Sequence, residues 1–183
     1  MEHSGCRRSH DGSGYEVQQN KEPPNYPCGS ETQGISSKVV FSTGKRKPGP
    51  GLYDIVFNLC SNIPGDVQQL CSALWEISAC GDTIAKGGLR RALEQIFAHE
   101  HKGYETILKI ITKQHLKVLS TLARQGGKAP MSSAFLKHSG IAQASSVRRA
   151  LERLQGLQII FYYDDEYRFV NPFFRAWLIY KKL

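Results

Sequence analysis

The stretch Ser145-Ser146-Val147-Arg148-Arg149-Ala150-Leu151-Glu152-Arg153-Leu154-Gln155-Gly156 is followed at once by two β-type runs. These are Ile159-Ile160-Phe161-Tyr162-Tyr163 and Tyr167-Arg168-Phe169-Val170, joined by Asp164-Asp165-Glu166. Val147, Ala150, Leu151 and Leu154 recur at i, i+3, i+4 and i+7, the spacing of one buried helix face. Ser145 is expected to cap that helix and Gly156 to end it. The aromatic and β-branched runs with a polar junction predict a hairpin. Asn171-Pro172 then reads as an N-cap and first helical residue, opening a helix with Phe173, Phe174, Trp177 and Leu178 on one face.

Two more helices precede this stretch. Thr112 is expected to cap a helix through Arg124 whose stripe is Leu116, Leu119, Leu122 and Ala123, ended by Gly126-Gly127. Ser132 is expected to cap a short helix bearing Phe135 and Leu136, closed by Gly140. Three helices followed by a hairpin is the order of a winged helix-turn-helix, placed at residues 112–183. Further upstream, residues 52–111 are also helical. Tyr53, Val56, Phe57 and Cys60 form one stripe, broken at Asn62-Ile63-Pro64-Gly65. Val67, Leu70, Cys71, Leu74 and Trp75 form a second, with Asp66 at its positive end. A third helix is expected over Leu89–Gly103 and a separate helical piece over Tyr104–Ile111. The fold class is therefore mainly α, with one small hairpin.

Residues 1–51 are different in kind. Proline, glycine, serine and asparagine dominate, as in Glu22-Pro23-Pro24-Asn25-Tyr26-Pro27 and Lys47-Pro48-Gly49-Pro50-Gly51. Such a stretch buries too little apolar surface to offset its ordering entropy, and is expected to be a disordered arm. No apolar run approaches the length of a bilayer span, and no secretory h-region follows Arg7-Arg8. Cys6, Cys28, Cys60, Cys71 and Cys80 are odd in number, with no C-x-x-C pair. That argues against a disulfide framework or zinc ribbon and for a reducing, cytoplasmic compartment. Cys6 with His10 and Cys28 reads as scattered tail residues, so no metal is expected.

The net charge is +8. Residues 1–51 carry seven Lys/Arg against five Asp/Glu, and residues 52–111 carry five against seven. Residues 112–183 carry twelve against four, so the basic excess sits in the winged-helix half. There Arg148, Arg149 and Arg153 lie between the apolar stripe positions of the second helix of the turn, the element that enters the major groove in such proteins. With Lys137 nearby, they are candidates for contact with phosphates and guanines of duplex DNA. A solvated helix face is the alternative reading. The acidic hairpin tip would repel phosphates, so docking is expected to rely on the helix, or the fold is used against protein.

Catalytic motifs are absent. Gly44-Lys45 lacks the earlier glycine of a P-loop, Val39 standing five residues before Gly44, and Arg46 replaces the magnesium-holding Ser/Thr. His99 and His101 are two apart on a helix and do not share a face. No independent catalysis is expected.

Several strings together carry a family resemblance. They are Asn62-Ile63-Pro64-Gly65-Asp66-Val67-Gln68-Gln69-Leu70-Cys71 with Leu74-Trp75, then Thr112 with Val118-Leu119 and Leu122-Ala123, and then Ser145-Ser146-Val147 with Ala150-Leu151 and Leu154. The most specific is Tyr167-x-Phe169-Val170-Asn171-Pro172-Phe173-Phe174-Arg175-x-Trp177-Leu178. From about Leu52 onward the chain resembles the C-terminal lid and winged-helix region of prokaryotic AAA-type ATPases, archaeal-type and STAND-like. The resemblance implies that residues 52–111 form a lid and that Asn62 and Pro64 lie near a nucleotide, with asparagine where the family usually has glycine. Pro64 read on its own simply starts a helix. ATP and magnesium are implied only for the family's P-loop core, which residues 1–51 do not resemble. The expectation is thus a C-terminal remnant or separate subunit that binds no cofactor independently. Its function would be nonenzymatic, with the winged helix binding DNA or regulating an ATPase core. A freestanding DNA-binding regulator, or a protein-interaction domain using the hairpin tip with Tyr162, Tyr163 and Tyr167, are the alternatives. No membrane partner is expected.

Overall fold

Helix α1 (Leu52–Leu59) begins after Gly51, whose left-handed backbone (φ 68°) turns the chain into it, and buries Leu52, Val56 and Phe57. The computed structural model describes residues 46–183. At the end of α1, Ser61 and Asn62 are both left-handed (φ 52° and 60°), and Asn62 N–H reaches back to Phe57 O at 3.0 Å. Pro64 then opens α2 (Pro64–Glu76), where its missing N–H costs no helical hydrogen bond. Val67, Leu70, Cys71, Ala73 and Leu74 face the core.

Most of the expected arm lies outside the described residues, but its last residues, 46–51, are described and carry a short strand. Strand β1 (Lys47–Pro48) pairs in parallel with β2 (Thr83–Ile84). Just before it, the Arg46 guanidinium donates to Ser78 O (2.9 Å) and Ala79 O (3.1 Å) and lies 4.0 Å from the Trp75 ring centroid. A cation beyond the C-terminal end of α2 meets carbonyl oxygens and an aromatic face together. These long-range contacts hold a segment whose composition alone would not fold.

Helix α3 (Gly88–Ile110) is continuous, where a break at Gly103 was expected. A Cβ at Gly103 would meet nothing within 4 Å, so this glycine serves no turn. Its cost of about 1 kcal/mol in a helix interior is outweighed by packing on both sides. At 23 residues, α3 is long enough to serve two partners. Its first half packs on α2. From its middle onward it also packs on the last helix, where Phe97 lies 5.4 Å from Tyr180 and Tyr104 lies 5.3 Å from both the Phe174 and Trp177 rings.

The remaining elements form a winged helix-turn-helix. Helix α4 (Lys113–Gln125) starts with a capping box: the Thr112 hydroxyl accepts from His115 N–H, and the His115 ring accepts from Thr112 N–H. Helix α5 (Ser133–Ser139) is capped by Ser132 and stopped by left-handed Gly140. Helix α6 (Ala144–Gly156) starts two residues earlier than the sequence suggests. Its N-cap is Gln143, whose carbonyl already accepts from Ser146 and Val147 N–H, so Ser145 lies exposed in the first turn and caps nothing. Nor does Gly156 reverse the chain. Gln158 does so at φ 55°, while Ile159 N–H bonds Leu154 O at 3.1 Å.

Strands β3 (Ile160–Tyr163) and β4 (Glu166–Phe169) form the wing. Asp164 and Asp165 are both left-handed, so the loop is a two-residue turn of the type that matches strand twist. Glu166, expected in the tip, instead pairs with Tyr163. Gly127 lies against the wing, its carbonyl accepting from Tyr167 N–H at 3.1 Å. Helix α7 (Pro172–Tyr180) is capped by Asn171, buries Phe173, Phe174, Trp177 and Leu178, and closes the core.

Candidate nucleic-acid interface

The buried stripe of α6 orients everything else on it. Val147, Ala150, Leu151 and Leu154 are at most 2% exposed, so the intervening residues turn outward. Arg148, Arg149 and Arg153 are all exposed, and none forms an ion pair with a described residue. At 3.6 residues per turn, Arg149 and Arg153 share one stripe, and Arg148 lies about 100° around from Arg149. Glu152 sits one turn beyond Arg148, placing one negative charge within the cationic face. Arg153 flanks the start of α4, where its charge adds to burial in lowering the His115 ring below the ordinary histidine value. Lys137 is exposed in the last turn of α5, the helix before the turn. The four residues singled out from the sequence therefore all face solvent.

The wing contributes no free cation. Its single basic residue, Arg168, is drawn back onto Glu166 (3.4 Å) and Asp164 (4.0 Å) and lies 5.4 Å from the Tyr163 ring centroid. Asp164 and Asp165 at the tip are exposed. Pairing within the wing consumes the charge that would otherwise track a phosphate backbone.

Asn62 and Pro64 part company. Asn62 lines a cleft of about 360 Å³ between the α1–α2 turn and the winged helix, whereas Pro64 does not line it and is exposed in the first turn of α2. Asn58, Ser61, Glu166, Arg168 and Arg175 also border the cleft. Arg175 donates Nε–H to Ala123 O at 3.0 Å, which anchors the side chain at the cleft it lines. Only its position in the sequence motif had marked it. The lining mixes these polar side chains, with Glu166 the one carboxylate, and the apolar Leu122, Phe169 and Pro172. It contains no glycine-rich phosphate loop, and the described residues hold no cluster of His, Cys, Asp or Glu that could bind a metal. These residues do not by themselves fit ATP with magnesium.

The remaining sequence candidates group differently. Cys60 and Cys71 are buried, and burial pushes their thiols up to about 12 and about 11 respectively, which makes them core residues and poor nucleophiles. His101 pairs with Glu105 at 3.1 Å on the surface of α3. The Cys6, His10, Cys28 and Gly44-Lys45 readings lie outside the described residues. No helix among the described residues is long and apolar enough to cross a membrane.

Residues 102–180 match a family model described as a probable winged helix domain. The match begins in the second half of α3 and ends on the last residue of α7. No curated protein and no solved structure matches the chain.

Proposed function

We propose that this chain is a nonenzymatic regulatory module whose winged helix binds duplex DNA through α6, and whose helical half 52–111 acts as the lid of an AAA-type ATPase core. The observation that carries the DNA reading is the contrast within one domain. Arg148, Arg149 and Arg153 are exposed without ion pairs, while Arg168 is neutralised inside an acidic wing. Binding then rests on the helix, with Lys137 adding a phosphate contact and the wing held off the backbone. The ATPase part rests on the sequence resemblance, in which Asn62 belongs to the lid turn, and that turn borders a cleft with Asn58, Ser61 and Arg175.

Fluorescence anisotropy with a labelled duplex tests the reading. Affinity should fall steeply with salt, and replacing Arg148, Arg149 and Arg153 by alanine should reduce the log–log salt slope by about 3. An unchanged slope in that triple variant removes α6 from the account. Steady ATP turnover by the purified chain would refute the nonenzymatic assignment.

A further inference from the structure

We propose that the outer edge of β3 is a docking site for an extended, basic segment of a partner protein, which adds a third strand to the wing. This surface is separate from the α6 face and does not depend on the DNA reading. Val170 N–H donates to Ile159 O at 3.0 Å, which sets the alternation of the ladder. Ile159, Phe161 and Tyr163 turn their backbone groups toward β4, and Tyr162 turns its own outward. On the β4 side the equivalent outward group is met, because Tyr167 N–H donates to Gly127 O. Among the described residues no backbone group pairs with the β3 edge at Tyr162.

An open strand edge is normally blunted by lysine, proline or a bulge. Strand β3 reads Ile-Phe-Tyr-Tyr, with none of these. Its side chains add to the exposed surface: Phe161 is 39% exposed, Tyr162 52% and Tyr163 63%, with Val170 at 46% beside them. Main-chain pairing along such an edge gives affinity, and alternate side chains give specificity. Charge selects the partner. Asp164 and Asp165 stand exposed at the end of the strand, and the nearest cation, Arg168, is already shared between Asp164 and Glu166. An incoming strand with Lys or Arg opposite the tip gains attraction there and a π-face at Tyr163. An acidic strand, or a nucleic-acid backbone, is repelled.

The test uses the full chain, labelled for amide NMR, and an acetylated octapeptide alternating lysine and valine, with a glutamate–valine octapeptide as comparison. Binding of the lysine peptide should shift the amides of Ile160–Tyr163, and the glutamate peptide should bind more weakly. Asp164→Asn with Asp165→Asn should weaken lysine-peptide binding roughly threefold to tenfold. Asparagine tolerates the left-handed backbone, so the wing of that variant should retain its fold, checked by its unshifted core amides. The proposal is overturned by absent or equal binding of the two peptides, by shifts confined to other elements, or by undiminished binding in the double variant. It is equally overturned if duplex DNA shifts the β3 amides, or if the chain self-associates through this edge without peptide.

Discussion

Gly127 offers the sharpest test of how the wing is held. A Cβ built there would lie 2.0 Å from Tyr167 O, 2.7 Å from Tyr167 N and 2.8 Å from Tyr167 C. All three are backbone atoms, so no side-chain rotation relieves the clash. Gly127 is not among the positive-φ residues, and its requirement is therefore one of space and not of backbone angle. Gly127→Ala must push β4 away from the α4–α5 loop and break the Tyr167–Gly127 hydrogen bond. Losing that bond costs about 0.5–1.5 kcal/mol, and forcing a methyl into a filled contact costs about 1–3 kcal/mol more. A loss of about 2–4 kcal/mol should lower the melting temperature by roughly 5–15 °C in a chain of this size. Gly103→Ala supplies the opposite sign, because its Cβ enters open space in the middle of α3 and should stabilise by about 0.5–1 kcal/mol. Circular dichroism melts of the two variants against the parent chain measure both. A Gly127→Ala variant as stable as the parent would show that the wing does not rest on this loop, and the steric argument would fail.

Two further outcomes follow from the other anchored regions. Arg46→Ala removes two hydrogen bonds to Ser78 and Ala79 and the contact with Trp75, so amide exchange at Thr83 and Ile84 should speed up while the winged-helix amides are unaffected; equal exchange in both proteins would mean that β1–β2 does not depend on this arginine. Burial raises the Cys60 and Cys71 thiols to about 12 and about 11 from an ordinary 9.0, so the folded state keeps protons that the unfolded state releases, and stability should be full below pH 9 and fall as pH rises from there through 11 to 12. Alkylation at pH 8 with peptide mapping should accordingly find Cys80 modified well before Cys60 and Cys71, and rapid modification of all three would contradict their burial.

The winged helix was legible because its signals are local. Thr112, Ser132 and Asn171 each cap the first turn expected of them, Gly140 takes the left-handed position, and the α6 stripe is buried as its spacing demands. What the sequence concealed depends on residues far apart in the chain. Strands β1 and β2 are two residues each and lie 36 positions apart, with no periodicity to detect; Arg46 holds them through partners more than thirty residues away. The chain reversals at Ser61-Asn62 and Gln158 use left-handed residues other than glycine, so although α6 ends at Gly156 as expected, the residue that turns the chain lies two positions further on. At the candidate interface, exposure of the arginines could be read from their positions between the apolar residues, but the pairing of Arg168 within the wing could not.

The same distinction explains why α3 looked like two helices. The first half of α3 buries Ala92, Ile96 and Phe97 as one stripe at helical spacing. Contact with α7 begins before Gly103, with Phe97 against Tyr180 and His101 against Trp177, and just beyond the glycine Tyr104 becomes the buried residue, set between Phe174 and Trp177. A glycine between that stripe and Tyr104 imitates a helix end. The winged-helix family match starting at residue 102 takes in Tyr104, the buried contact of α3 with α7. A rigid helix shared by both halves couples them mechanically. Any movement of residues 52–87 that tilts α3 must also disturb the aromatic contact at Tyr104, and with it the helix that closes the core beneath the wing.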